Sequence, residues 1–210
     1  MEEPLTASGA PEMTLKLLPA VIAATVLLIP GPAPAIEFNP LSAIKSAVED
    51  RKAEDIANDT RIKAEIAAEV VDAMGTDVIS ISADVYEGDV MLTGAVEKAG
   101  LKLQAEALTK KVEGVRKVYN EILVIKPLDQ KKGAAEAFVD DTVIEGKINA
   151  LLLDATGVNV TNFRWRSVQG NVFLFGRALS KPELDKAIVV VRGIENVTAV
   201  TSRVKVVPKS

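Results

Sequence analysis

The sequence predicts an α+β fold built from two tandem small αββαβ domains, each a three-stranded mixed sheet with two helices on one face. The main observation is a phrase that occurs twice: residues 87–94 read EGDVMLTG and residues 169–176 read QGNVFLFG. Around each phrase, apolar residues recur every four positions and then every second position. These spacings are typical of an amphipathic helix and of a strand with one solvent-exposed face.

The two phrases belong to a longer internal repeat. Shifting the chain by 82 residues places Asp59 on Asp141 and Ile62 on Ile144. It also superimposes the hairpin residues Gly88, Val90, Leu92 and Gly94 on Gly170, Val172, Leu174 and Gly176. Further along, Val112-Glu113-Gly114-Val115 resembles Val191-Arg192-Gly193-Ile194. This second similarity predicts that the register changes by three residues in a loop.

Each repeat reads as helix, hairpin, helix and strand. The first helix has an apolar face at Ile62, Ile66, Val70 and Met74, repeated at Ile144, Ile148 and Leu152. Asn58 or Asp59, and a capping box of Thr142 with Glu145, are predicted N-caps. Gly88 and Gly170 suit the hairpin turn, and Gly94 and Gly176 are expected to end the second strand.

In the second half of each repeat, a helix is predicted to connect the second strand to the last strand. Helices are expected over about Lys98 to Val112 and Pro182 to Val191, the latter with a capping box of Ser180 and Glu183. The last strand carries Val118, Asn120, Ile122 and Val124 in the first copy, and Val200, Val204 and Val206 in the second. A helix of this length allows the last strand to lie parallel in the same sheet.

The chain divides into five predicted segments. Residues 1–35 resemble a secretory signal peptide, with an apolar run from Leu17 to Ile29, cleavage after Ala35 and a true start at Met13. The remaining segments are an N-terminal helical or linker segment over 36–57, a first domain over 58–127, a linker over 128–137 and a second domain over 138–208. An uncleaved N-terminal anchor is the alternative, and either outcome places the domains in the periplasm.

Composition excludes several kinds of chemistry. The 210 residues contain no His and no Cys, which removes Ser–His and Cys–His nucleophile pairs, His-ligated metal sites and lipid attachment to Cys. The net charge of −4 argues against a nucleic-acid-binding protein. Composition leaves carboxylate-only chemistry open, but capping and turn roles account for the acidic pairs Asp140-Asp141 and Asp84 with Asp89. We therefore expect no catalytic residues, no cofactor, no metal and no lipid anchor.

The repeated residues resemble the BON domain (bacterial OsmY and nodulation). One hallmark is the V-x-L-x-G strand, present at 90–94 and 172–176. The other is a helix-to-strand passage, seen at Ala105, Leu108, Thr109, Val112, Gly114 and Val115 and, with departures, at Leu184, Ala187 and Ile188. Gly88, Gly94, Gly114, Gly170, Gly176 and Gly193 are the motif glycines. The resemblance implies an exported, non-enzymatic envelope protein associated with osmotic stress and a phospholipid-binding module.

The two copies differ in charge and in aromatic content. Residues 59–126 hold nine basic and twelve acidic side chains, a balance of −3, whereas residues 138–210 hold ten and seven, a balance of +3. Strand alternation puts Phe163 and Trp165 towards the core. It puts Arg164, Arg166, Phe173 and Phe175 on the opposite sheet face, with Arg177 nearby on the other parity or in the loop.

Three interpretations of this apolar and basic patch remain open. It packs against the first domain or an N-terminal helix, it meets an anionic phospholipid surface, or it binds a protein client or a second copy. Lys181, Lys186 and Arg192 form an alternative membrane face. The leading prediction is peripheral binding to anionic phospholipid, with envelope proteins as further partners. The alternative is a protein-binding adaptor or chaperone-like factor.

Overall fold

The computed structural model of the chain describes residues 51–75, 80–125 and 133–208. The predicted signal peptide, the start at Met13, residues 36–50 and residues 128–132 of the predicted linker lie outside the described residues.

The first repeat folds in the predicted order. Its elements are α1 Ala53–Met74, β1 Ser80–Tyr86, β2 Asp89–Val96, α2 Ala99–Thr109, β3 Lys117–Asn120 and β4 Leu123–Val124. β1 pairs antiparallel with β2, whereas β3 and the short β4 both run parallel to β2. The predicted last strand is thus split into two, and Ile122, which lies between β3 and β4, is fully buried in the core.

The second repeat has the same topology with an unbroken last strand. Its elements are α3 Gly133–Asp154, β5 Phe163–Val168, β6 Asn171–Ala178, α4 Lys181–Arg192 and β7 Ala199–Val206, with a 3₁₀ turn at Val160–Asn162 before β5. β5 and β6 are antiparallel and β7 is parallel to β6. The predicted α+β class and the αββαβ order are therefore confirmed.

Each core lies between the two helices of a repeat and one face of its sheet. In the first repeat the helical stripe packs against alternate strand residues: Ile62, Ile66, Val70, Met74, Ala83, Val85, Val90 and Leu92. In the second repeat the corresponding set is Ile144, Ile148, Leu152, Phe163, Val172 and Leu174, with Trp165 packed against it. Each sheet keeps one face without helices, which we call the open face.

The predicted three-residue change of register does not occur, and the offset of 82 holds to the last strand. Arg116 N–H donates to Gly88 O, and Thr198 N–H donates to Gly170 O, both at 2.8 Å. Gly114 therefore corresponds to Asn196 rather than to Gly193. Both have positive φ, +89° and +68°, a conformation that Asn tolerates better than most residues.

The hairpin turns are held by the side chain of an aspartate from the preceding helix. Asp59 accepts hydrogen bonds from the N–H groups of Glu87 and Gly88 at 2.7 and 2.8 Å. Asp141 binds Gln169 and Gly170 in the same way at 2.6 and 2.9 Å. Both central residues of each turn have positive φ, as a type I′ turn requires.

Two of the predicted helix caps are wrong for the same reason. The helices begin at Ala53 and Gly133, so Asn58, Asp59 and Thr142 lie inside them rather than at their ends. The third cap is confirmed, because the Ser180 hydroxyl accepts the Glu183 N–H at 3.2 Å. The Glu183 carboxylate reaches Leu179 N–H and Asn159 N–H instead of closing the capping box on Ser180.

The second strands do not end at Gly94 and Gly176, because β2 and β6 each continue for two more residues. Gly176 has φ +107°, and a Cβ placed there would lie 2.1 Å from the carbonyl oxygen of Asn162. The glycine is required by close backbone approach within the sheet rather than by a turn.

Candidate functional site

The open faces of the two sheets pack against each other. Between them lies the interface cluster, defined by Tyr86, Met91, Phe173 and Phe175, each no more than 3% exposed. Tyr119, Leu123 and Val168 pack around it. The structure therefore buries most of the predicted apolar patch between the two domains.

Aromatic and cationic groups are layered across this contact. The Tyr119 ring meets the Phe175 ring edge-on, with centroids 6.0 Å apart. The Tyr86 ring has the guanidinium carbon of Arg51 4.0 Å from its centroid and that of Arg164, from the other domain, at 5.6 Å. Guanidinium groups within about 6 Å of an aromatic face are attracted to it.

Four alternating charges run through the centre of the contact, and we call them the central ion network. Asp84 lies between Lys63 of its own domain, with Oδ1–Nζ 3.4 Å, and Arg166 of the other, with Oδ2–Nε 3.2 Å. Arg166 in turn lies 3.8 Å from Glu145. Burial raises the pKa of Asp84, but Arg166, Lys63 and Arg164 together outweigh burial and hold that pKa below its ordinary value.

Three further ion pairs surround the network. They join Glu87 to Arg177 at 3.5 Å, Glu121 to Arg203 at 2.6 Å and Asp89 to Lys205 at 2.7 Å. In each of these pairs, and in the pair of Asp84 with Arg166, the first domain supplies the acid and the second supplies the base. The opposite charge balances of the two repeats therefore meet at this surface.

The structure brings together Arg164, Arg166, Phe173, Phe175 and Arg177. The predicted parity of Arg177 was wrong: β6 continues past Gly176, so Arg177 shares the open face with Phe173 and Phe175. Of the three interpretations of the patch, packing against the first domain is the one that the structure shows.

The remaining predicted residues lie elsewhere. Lys181, Lys186 and Arg192 are on α4, on the outer side of the second domain. Lys181 pairs with Asp185 one turn later, and Lys186 donates to the carbonyl of Thr156. The motif glycines Gly88, Gly94, Gly114, Gly170 and Gly176 all have positive φ, whereas Gly193, with a φ of −78°, has a conformation ordinary for any residue.

Sequence reasoning missed the cations of the last strand. Arg203 and Lys205 alternate with Val204 and Val206 in β7, so parity alone could have placed them on the open face beside Arg164 and Arg166. Arg51 was not recognised either. Its side chain is almost fully buried and pairs with Asp59, the residue that holds the first hairpin turn.

Two features are absent from the described residues, a cluster of metal ligands and a membrane-spanning helix. Over 51–75, 80–125 and 133–208, no group of three or more acidic side chains could hold a metal ion. Within the same ranges, none of the helices is both long and apolar enough to span a membrane.

Comparison with models of known protein families shows which family the chain belongs to. The BON domain model matches residues 58–126 and again residues 140–208. The chain belongs to the BON-domain family. Its two BON domains are in tandem, and the open faces described above are the sheet surfaces through which the first BON domain contacts the second.

Three curated relatives illustrate the similarity. An uncharacterized protein in the gshII 5′ region of Anaplasma centrale is 32% identical over 60% of this chain and 81% of its own length. Osmotically-inducible protein Y of Escherichia coli is 27% identical over 73% and 75%. Outer membrane lipoprotein DolP of Haemophilus influenzae is 33% identical over 46% and 47%.

Proposed function

We propose that this protein is a non-enzymatic, exported envelope protein that acts under osmotic or related stress. We further propose that it associates peripherally with anionic phospholipid through the second BON domain. Two of its relatives support the setting by their names, which refer to osmotic induction and to the outer membrane. The signal-peptide pattern over 1–35 supports a periplasmic location.

The observation that carries the membrane proposal is the outer face of α4. Lys181, Lys186, Val189 and Arg192 form this helical face, and Val189 is 68% exposed. At 100° per residue these four positions fall within a sector of about 140°, which also contains the exposed acid Asp185. Leu184, Ala187 and Val191 occupy the opposite side and enter the core. An exposed apolar residue among cations suits the headgroup region of an anionic membrane.

The neighbouring helix α3 also carries exposed apolar side chains. α3 runs antiparallel to α4, because Lys186 contacts Thr156 beyond the end of α3 while Lys147 lies 3.3 Å from Glu195 beyond the end of α4. Near the end of α3, Leu151 and Leu153 are 46% and 60% exposed.

The expected binding is weak. Lys181 and Lys147 already pair with Asp185 and Glu195, so fewer cations remain for lipid than the sequence count suggests. Each base near an anionic surface contributes about 1 kcal/mol. Such binding should be reversible and should decline as ionic strength rises.

Vesicle sedimentation tests the proposal. The protein should pellet with anionic vesicles at low salt more than with zwitterionic vesicles, and Lys186→Glu with Arg192→Glu should abolish the difference. The matched control is Lys110→Glu with Lys111→Glu, the same charge change at the end of α2 in the first BON domain, which should leave pelleting unchanged. Equal pelleting of the parent with both vesicle types would disprove lipid-selective binding.

A protein-binding adaptor is the second candidate, favoured by the exposed apolar side chains of the second domain. Val143, Leu151, Leu153 and Val189 are each 46–68% exposed. The predicted client surface at Phe173 and Phe175 is buried, so a client would bind exposed apolar side chains of α3 and α4 instead. Binding that persists at high salt, and that Val189→Ser with Leu153→Ser weakens, would favour the adaptor.

A further inference from the structure

The contact between the open faces has approximate two-fold symmetry. Asp84 contacts Arg166 and Glu121 contacts Arg203, and both pairs are 82 residues apart, the offset that relates the two repeats. In a two-fold contact, a residue meets its own equivalent only at the axis. The pseudo-two-fold axis therefore passes close to both pairs.

Charge breaks this symmetry where the axis passes. Lys63 and Glu145 are also equivalent positions. The charges of the central ion network therefore alternate across the axis, from Lys63 (positive) and Asp84 (negative) to Arg166 (positive) and Glu145 (negative). The apolar interface cluster has no such polarity, because Met91 and Phe173, which are equivalent, are both buried apolar residues. Burial supplies affinity in this contact, and the charges decide which faces can meet.

Pairing of like with like would bring equal charges together on the axis. Two first-domain faces would place Asp84 against Asp84 and Glu121 against Glu121. Two second-domain faces would place Arg166 against Arg166. Like charges at a desolvated contact cost several kcal/mol, whereas the mixed pairing makes every one of these contacts attractive.

We propose that the two open faces are a heterotypic docking pair. The acidic first-domain face accepts only a basic, aromatic face of the second-domain type, and the second domain of the same chain supplies it. Neither face pairs with its own kind. This assignment concerns the assembly of the protein and does not depend on membrane binding.

Charge exchange at equivalent positions provides the test. A first-domain exchange combines Lys63→Glu with Asp84→Arg, and a second-domain exchange combines Glu145→Lys with Arg166→Asp. Each retains the ion pair within its own domain with the sign reversed. Glu145→Lys also removes the acceptor of the Ser167 N–H, so the stability of the second-domain exchange is measured alongside. Only the contact across the axis becomes repulsive.

The readout is the distance between the outer helices of the two domains. The chain contains no Cys, so dyes attached through Lys110→Cys and Arg192→Cys report energy transfer between equivalent, exposed positions. We expect either exchange alone to lower the population with the domains in contact by about tenfold or more. The combined four-residue exchange should restore that population to near the parent value.

Two outcomes would overturn the proposal: either exchange alone leaves the domains in contact as in the parent, or the combination restores nothing. Far-UV circular dichroism confirms that each exchanged chain is folded. Should a buried exchange unfold its domain, Glu121→Arg and Arg203→Glu repeat the test at a position where Arg203 is 43% exposed.

Mixing the two exchanged full chains tests docking between copies. For this experiment Glu121→Arg is added to the first-domain exchange and Arg203→Glu to the second-domain exchange. One chain then carries basic residues at the axis on both faces and the other carries acidic residues there, so only the mixture can form a dimer held by two complementary contacts. Sedimentation velocity should show dimer in the mixture alone. Dimer in either chain by itself would contradict the rule that like faces do not pair.

Discussion

Asp84 and Arg166 occupy the same position in two copies of one domain and bind each other across the surface that joins those copies. The carboxylate and the guanidinium are 3.2 Å apart, and both side chains are largely buried. The two copies thus carry side chains of opposite charge at one equivalent position, and these two side chains form an ion pair. This relationship explains why the two repeats carry opposite charge balances.

The contact should weaken in acid because Asp84 has a depressed pKa. A carboxylate with a folded-state pKa below its unfolded value of about 3.9 stabilises the fold above that value, and it loses this contribution as pH falls through the folded pKa. Asp84→Asn should lower the free energy of unfolding by about 2 kcal/mol at pH 7. The difference should shrink below about pH 4. Urea unfolding at pH 7 and pH 3 checks this, and an equal loss at both would contradict it.

Phe175 should contribute strongly to stability, although it is on the sheet face away from the helices. It is 1% exposed and meets the Tyr119 ring, so Phe175→Ala should cost about 3 kcal/mol or more. Leu103→Ala is the control, because Leu103 is 66% exposed and should change stability by less than about 0.5 kcal/mol. Equal effects of the two variants in denaturant unfolding would show that the open faces are not in contact.

Asp141 should be needed for the second hairpin. Its carboxylate accepts hydrogen bonds from Ser167 Oγ and from the N–H groups of Gln169 and Gly170. Asp141→Ala should therefore lower the unfolding free energy by about 2–3 kcal/mol, since it leaves two backbone donors without their acceptor. The neighbouring Asp140→Ala, at an exposed position, should have little effect. Thermal unfolding that does not separate these variants would argue against the role of Asp141.

Gly176 should not tolerate a side chain. Gly176→Ala places a methyl group against the Asn162 carbonyl and also requires positive φ, so we expect a loss of about 3 kcal/mol or failure to fold. Gly146→Ala within α3 is the matched control. A Cβ there meets nothing within 4 Å, and the change should stabilise the helix by up to about 1 kcal/mol. Soluble yield and melting temperature distinguish the two results.

Much of the fold could be predicted because it depends on local periodicity. Ile62 and Ile66 repeat at helical spacing and are buried, and Phe163 and Trp165 alternate towards the core as expected. The register error arose because Gly193 resembles Gly114 in its local sequence. Hydrogen bonds between distant strands, which local similarity does not report, place Asn196 there instead.

The candidate site was predicted only in part. Alternation placed Phe173, Phe175, Arg164 and Arg166 on one sheet face, and the structure confirms this arrangement. Arg177 was misplaced because Gly176 was taken as a strand end. The helix starts were misjudged because Asp59 and Asp141 were taken for caps, whereas their partners are N–H groups almost 30 residues further along the chain.

The sequence by itself determined the duplication, the order of elements and the division of each strand into a core side and an open side. These features follow from spacings of three, four and two residues along one chain. Only the tertiary structure decided what covers the open side. The alternation of side chains along a strand shows which sheet face does not pack against the helices of its own repeat. It does not show what covers that face, because the covering surface is set by the shape and charge of residues 82 positions away in the chain.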